Sequence, residues 1–190
     1  MLNKSLCACV LAVSPFASAL PAVSQEIVHA LTGTVSAVNE ADKTITLFQD
    51  NGSKSVFKVL TSSGTWIAFD KRVAGETTAA KGFQTQGAYV ILFYFGNEDN
   101  QTAVAVKSLG AGPFSSTSGE VTKWNGHGHT LSLKGEDGNE QSFKIGPQTV
   151  AETYQGAVGG LKFDANKGDH VRLVSTTENG TPTVLFIRPK

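Results

Sequence analysis

Two segments of this chain can be laid over one another without a gap: GTVSAVNEADKTITLFQDNGSKSVFKV, Gly33 to Val59, and GEVTKWNGHGHTLSLKGEDGNEQSFKI, Gly119 to Ile145. They agree at Gly33/Gly119, Val35/Val121, Thr44/Thr130, Leu47/Leu133, Gly52/Gly138, Phe57/Phe143 and Lys58/Lys144, and they pair apolar with apolar at Val38/Trp124, Ile45/Leu131 and Val59/Ile145. Once a few residues are dropped from the second copy the match goes on, with GAYV from Gly87 over GDHV from Gly168, and TAVAVKS from Thr102 over TPTVLFIR from Thr181. A repeat of this length means one small unit built twice. The units run over residues 30–110 and 118–190, joined by the Gly/Pro/Ser linker AGPFSST at 111–117.

Within each unit the hydrophobic period is two. Ile45/Leu47, Phe57/Val59, Leu131/Leu133, Phe143/Ile145 and Val171/Leu173 alternate with polar residues, as half-buried strands do. QDNGSK and GEDGNE supply Asn-Gly and Asp-Gly turns between the second and third strands. In the first strand the apolar residues are three apart (Val35 and Val38, Val121 and Trp124), which predicts a bulge that bends it. Five strands per unit follow. An irregular or short helical insert is expected between the third and fourth, over Leu60–Gln86 in one copy and Gly146–Lys167 in the other. The fold class is therefore all-β: two tandem, five-stranded, OB-like small barrels.

The order G-x-V, turn, TITL or TLSL, D-G turn, F-K-V or F-K-I, a threonine segment around Thr65 or Thr149, then KGDHV and a last strand resembles the small secreted bacterial β-barrel domains of OB-like build and unknown function, which often occur in tandem. The resemblance spans nearly the whole chain after its first two dozen residues. It rests on core and turn residues and carries no catalytic motif; the first copy departs from it, with QGAYV in place of KGDHV. It implies the fold and an envelope location; with no catalytic motif beside it, a non-enzymatic binding or assembly module of the cell envelope is the expected function.

Residues 1–24 agree with that location. One lysine, an apolar run from Leu6 to Val13 and small residues at Ala17-Ser18-Ala19 and Ala22-Val23-Ser24 have the layout of a secretory signal peptide, with cleavage after Ala19 or after Ser24. Cys7 and Cys9 both fall inside it, so the exported protein is expected to have no thiol or disulfide. The expected location is periplasmic or secreted. The chain has 16 basic and 16 acidic side chains, so no net charge draws it to nucleic acid or to an anionic membrane, and no later apolar run is long enough for stable membrane insertion.

Three features compete for the site. The first is WNGHGHT, Trp124 to Thr130, which lies over VNEADKT of the first copy and so joins the first two strands. As a hairpin tip it would have Gly126 and Gly128 at positive φ, His127 and His129 solvated, and Trp124 over the barrel end. As a metal site, His127 and His129 would need a third ligand from Glu120, Asp137 or His170. Copper chaperones of metal efflux systems, a related periplasmic barrel family, hold Cu(I) with methionine, histidine and tryptophan. Here the only methionine is Met1, inside the segment expected to be removed, which leaves weak Zn(II), Ni(II) or Cu(II) binding as the metal alternative and no other cofactor.

The second feature is the strand YVILFYF, apolar on both faces. If Val90 and Leu92 point inward, Tyr89, Ile91, Phe93 and Phe95 make a second apolar face, and burying such side chains is worth on the order of 2 kcal/mol each. Either the insert around DKRVAGETTAAKGF or the second barrel covers it, or it is a partner surface for an envelope protein, a glycan or a second copy of the chain. The third is the OB-type binding region along the second and third strands and at the loops 124–129 and 97–101; the residues expected to be exposed there, Thr44, Thr46, Ser55, Lys58 and Ser132, give it no aromatic platform for single-stranded nucleic acid. No Gly-x-Ser-x-Gly, His-Glu-x-x-His or phosphate-binding glycine loop is present, and an enzyme is not expected.

Overall fold

The computed structural model describes residues 26–61, 73, 76–97 and 100–190. Residues 1–25, with the expected signal peptide, lie outside these, as do much of the first insert, including Thr65, and part of the 97–101 loop. The first unit contains β1 (His29–Asn39), β2 (Thr44–Gln49), β3 (Lys54–Val59), β4 (Thr78–Ala79), β5 (Tyr89–Phe95) and β6 (Thr102–Ser108); the second contains β7 (Ser115–Asn125), β8 (Thr130–Gly135), β9 (Glu140–Thr153), β10 (Gly156–Gly159), β11 (His170–Glu178) and β12 (Thr181–Pro189). Each unit is a closed barrel. The first sheet runs β3-β2-β1-β5-β6 and is closed by parallel pairing of β3 with β6; the second runs β9-β12-β11-β7-β8 and is closed by β8 on β9. Closure removes the unpaired edges that an open sheet would leave.

The duplication extends to details of the backbone. The register of β1 on β2 slips between Val35 and Ala37, and that of β7 on β8 between Val121 and Lys123, so the bulge expected from the three-residue spacing occurs in both copies. Just before it, Gly33 and Gly119 have the partner strand pressed against them: a Cβ on Gly33 would approach the Phe48 carbonyl oxygen to 2.4 Å, and one on Gly119 the Lys134 carbonyl oxygen to 2.5 Å. Only glycine fits such a crossing, which explains why the repeat begins on it.

The alternation places the cores as expected. Val35, Ile45, Leu47, Phe57, Val90 and Leu92 pack in the first barrel, and Val121, Leu131, Leu133, Phe143, Val171 and Leu173 in the second. Thr149, from the threonine segment, is buried and ties the barrel seam: its hydroxyl donates to the Val184 carbonyl at 2.6 Å and accepts the Gly146 amide at 2.9 Å.

The second insert differs from the expectation of irregular or helical structure. β9 runs on to Thr153, pairing Val150 and Ala151 with Phe186 and Ile187 of β12, then turns back as β10; only Gly160–Lys162 form a 3-10 turn. The β-forming Thr-Val-Ala run has a strand to pair with, and this outweighs the glycines and proline around it. In the first unit the matching 3-10 turn is Ala80–Gly82, behind the two-residue β4.

Candidate functional site

The loop Trp124–Thr130 is a hairpin tip, held as its counterpart is held. Asn125 accepts the Gly128 amide at 3.0 Å on its side-chain oxygen, just as Asn39 accepts the Asp42 amide at 3.1 Å. The positive φ does not fall on Gly126 or Gly128. It falls on His129, at 48°, matched by Lys43 at 52°. The asparagine turn accounts for this: it takes up the reversal through its side chain and leaves the residue just before the next strand to make the left-handed step. Trp124 sits on the barrel end, its ring edge-on to Phe163 at 5.7 Å and 82°. His127 is exposed, while His129 has its Nδ1 buried with no hydrogen-bond partner.

The candidate third ligands do not gather there. His170 and Glu120 face each other across β11 and β7, and Asp137 binds Asn139 in the β8–β9 turn. Among the described residues no three His, Asp or Glu side chains form a group able to hold a metal ion. Asp137 is kept below the usual carboxylate range by the Asn139 side chain and amide.

The apolar outer face of β5 is covered by the chain itself. Ile91 and Phe93 are fully buried in a cluster with Val28, Val73 and Ala105 of the first unit and Val150, Val174 and Phe186 of the second. Tyr89 packs on Phe114 of the linker at 5.0 Å, and Phe95 is half-buried at the strand's end. Ile91 and Phe93 are therefore interior residues between the barrels, occupied where a partner or a second copy would have to reach them.

Polar bonds surround this apolar junction. Glu152 on β9 bonds His29 Nδ1 at 2.6 Å and accepts the Ala30 amide at 2.7 Å, and the Ala157 amide of β10 donates to the Val28 carbonyl at 2.7 Å. On the far side Lys107, nearly buried, donates to the Gln148 carbonyl at 3.0 Å and pairs with Glu76 at 2.9 Å. Burial pushes the Glu152 carboxyl above its usual range, against the opposing pull of His29 and the Ala30 amide. Burial likewise raises the Tyr94 hydroxyl, 5.8 Å ring to ring from His29, with the Glu152 charge adding to it.

Beside the junction the barrels leave a cleft of about 270 Å³. The first barrel brings Asp50, at the β2–β3 turn, whose Oδ2 accepts both the Thr32 hydroxyl and, at 2.8 Å, the Tyr89 hydroxyl. The second brings Arg172 and Arg188, directly opposite one another on β11 and β12. Burial, and then the bond to Asp50, lifts the Tyr89 hydroxyl well above the usual phenol range, so it stays protonated and donates its hydrogen bond to Asp50. The Asp50 carboxylate is thus fixed by two hydroxyls before any ligand arrives.

Sequence reasoning reached Tyr89 but neither Asp50 nor the arginines, because repeat register does not reveal which outer faces meet. It also left out Phe48 and Val56, which the structure exposes on the outer β2–β3 face at 52% and 58%. The alternation signals both, since neighbouring Leu47 and Phe57 point inward. Thr46 and Ser132, expected to be exposed, are nearly buried; Ser132 shares a 2.8 Å hydroxyl bond with Ser142.

A pair of closed OB-like barrels sharing one junction core is the class that this fold defines. No protein-family model matches the chain, and no curated protein matches it. Among solved structures the chain is similar to a silver-bound form, Ag(I)CusF, at 14% identity and a TM-score of 0.33, over 42% of this chain and all of that one. It is similar also to apo-CusF from Escherichia coli, again at 14% identity and a TM-score of 0.33, over 44% of this chain and 94% of that one.

Proposed function

We propose that the chain is a non-enzymatic, exported binding module of the cell envelope, periplasmic or secreted, which recognises its ligand at the junction of its two barrels. The observation that carries this reading is the preset Asp50 carboxylate of one barrel in the same open cleft as the arginine pair of the other. Ligand sites characteristically lie where two units meet, with a few fixed polar groups among apolar ones. The signal-like residues 1–24 and the resemblance to secreted barrel domains support the location.

The experiment is hydrogen exchange on the exported, tag-free protein with and without the low-molecular-weight fraction of a bacterial envelope extract. Protection of the 49–51 turn together with β11 and β12 supports the reading; exchange unchanged everywhere overturns it. A second reading, weak divalent metal binding at His127 and His129, is favoured by one observation, the buried and unpartnered Nδ1 of His129. Its signature would be a stoichiometric Zn(II), Ni(II) or Cu(II) adduct in native mass spectrometry that a His127→Ala/His129→Ala variant loses.

A further inference from the structure

The same cleft has a charge arrangement that narrows its ligand, an inference that rests on the binding reading above. Arg172 and Arg188 are register partners on an antiparallel pair, where like charges repel. Among the described residues neither lies within ion-pair range of a carboxylate: the Arg172 Nε donates to the Ser116 hydroxyl at 3.3 Å, and the Arg188 Nε to the Pro189 carbonyl at 3.4 Å. The first barrel shows how the position is otherwise satisfied. Its register partners there are Ile91 and Lys107, the one buried and apolar, the other neutralised by Glu76 at 2.9 Å. The second barrel has neither an apolar residue nor a contacting carboxylate at this pair, Glu152 acting on Arg188 only at a distance, and so holds two planar, always-charged donors on the wall of a cleft.

We propose that this cleft binds a small hydroxylated carboxylate the size of a single sugar acid, its carboxylate on Arg172 and Arg188 and its hydroxyls toward Asp50. A guanidinium pair matches a carboxylate in shape as well as charge. Asp50 accepts hydrogen bonds and repels a second anion, so it selects a ligand that is anionic at one end and hydroxyl-bearing at the other. Asn51 and Ser118 at the cleft add amide and hydroxyl partners. The volume, at the low end for ligand pockets, suits one ring rather than a chain of them. Glu152 feels the Arg188 charge but makes no ion pair with it; its oxygens bond His29 and the Ala30 amide at the junction.

The test is NMR titration of the exported protein with galacturonate, and with galactose and acetate as controls, at low ionic strength. Galacturonate is expected to shift the amides of residues 49–51 and of β11 and β12. Arg172→Gln and Arg188→Gln should each weaken it by about tenfold, and added salt should weaken it too. Galactose and acetate are expected to be weaker by a similar factor. Both arginines are at least partly exposed, so the variants should fold, and their unperturbed core resonances check this. No shift with galacturonate, equal binding of acetate or galactose, or unchanged affinity in both variants overturns the proposal. If the envelope fraction still protects the junction in that case, the binding reading stands with a different ligand; if it does not, both fall.

Discussion

Lys43 and His129 occupy the same place in the two barrels: each has left-handed φ, and each offers its carbonyl oxygen at 2.8 Å to the amide of an equivalent residue on the third strand, Val59 in one case and Ile145 in the other. The pairing sets the role of His129 at the turn independently of any metal. A side chain with a Cβ costs about 1–2 kcal/mol in this conformation, and a β-branched one more. His129→Gly should therefore stabilise the protein by about 1 kcal/mol, the gain being partly offset by glycine's freedom in the unfolded chain, while His129→Val should destabilise it. Urea unfolding midpoints of the two variants check this; shifts of the same sign would mean that the turn does not set the residue.

Phe93 tests the junction. It is fully buried between the barrels with Val150, Val174 and Phe186, so Phe93→Ala should cost about 3–5 kcal/mol by lost burial and a residual cavity. The cavity lies between two closed cores, so the damage falls on their coupling. Calorimetry should show one cooperative transition in the parent and a broadened or split one in the variant. A variant that simply unfolds earlier, still in one sharp step, would place the coupling elsewhere, in the Glu152 and Lys107 bonds.

How much of this could be read from the residues follows from what each signal reports. Period-two alternation reports the inside of a barrel, and Ile45, Leu47, Phe57 and their counterparts pack where it puts them. The repeat reports local backbone, so the bulge after Val35 and Val121 was visible in advance. What one barrel does to the other is non-local, and neither signal carries it. The two-faced YVILFYF strand signalled that something must cover it but not which element, and Asp50 looked like a turn residue. His129 shows the converse: glycine is the usual residue for a left-handed step, but here the Asn125 side chain makes the turn and the step falls on the histidine.

Glu152 gives the junction a pH dependence of definite sign. Its carboxyl is raised by burial, so between the ordinary carboxylate value and the folded one the native state holds more protons than the unfolded chain. Its contribution is greatest below that window and is lost as pH rises through it. His29, the Ala30 amide and the Arg188 charge oppose the shift and keep it from being larger. Glu152→Gln cannot titrate, so the stability difference between parent and variant, followed from about pH 4 to about pH 7, should move against the parent as pH rises. A difference that moves the other way would mean that pairing with His29 outweighs burial.

Gly33 and Gly119 offer a paired test of the duplication. In each barrel a methyl group at this position would run into the carbonyl of the neighbouring strand, Phe48 or Lys134, which cannot rotate away as a side chain would. Gly33→Ala and Gly119→Ala should each destabilise by about 1–3 kcal/mol, the usual cost of overpacking that forces the backbone to move. The two sites sit in different cores, so their effects in the double variant should add to within about 0.5 kcal/mol. Denaturant titration of the two single variants and the double variant measures this. A coupling energy well beyond that bound would show that strain in one barrel is passed across the junction to the other, and the contacts to examine next would be those of Ile91 and Phe93.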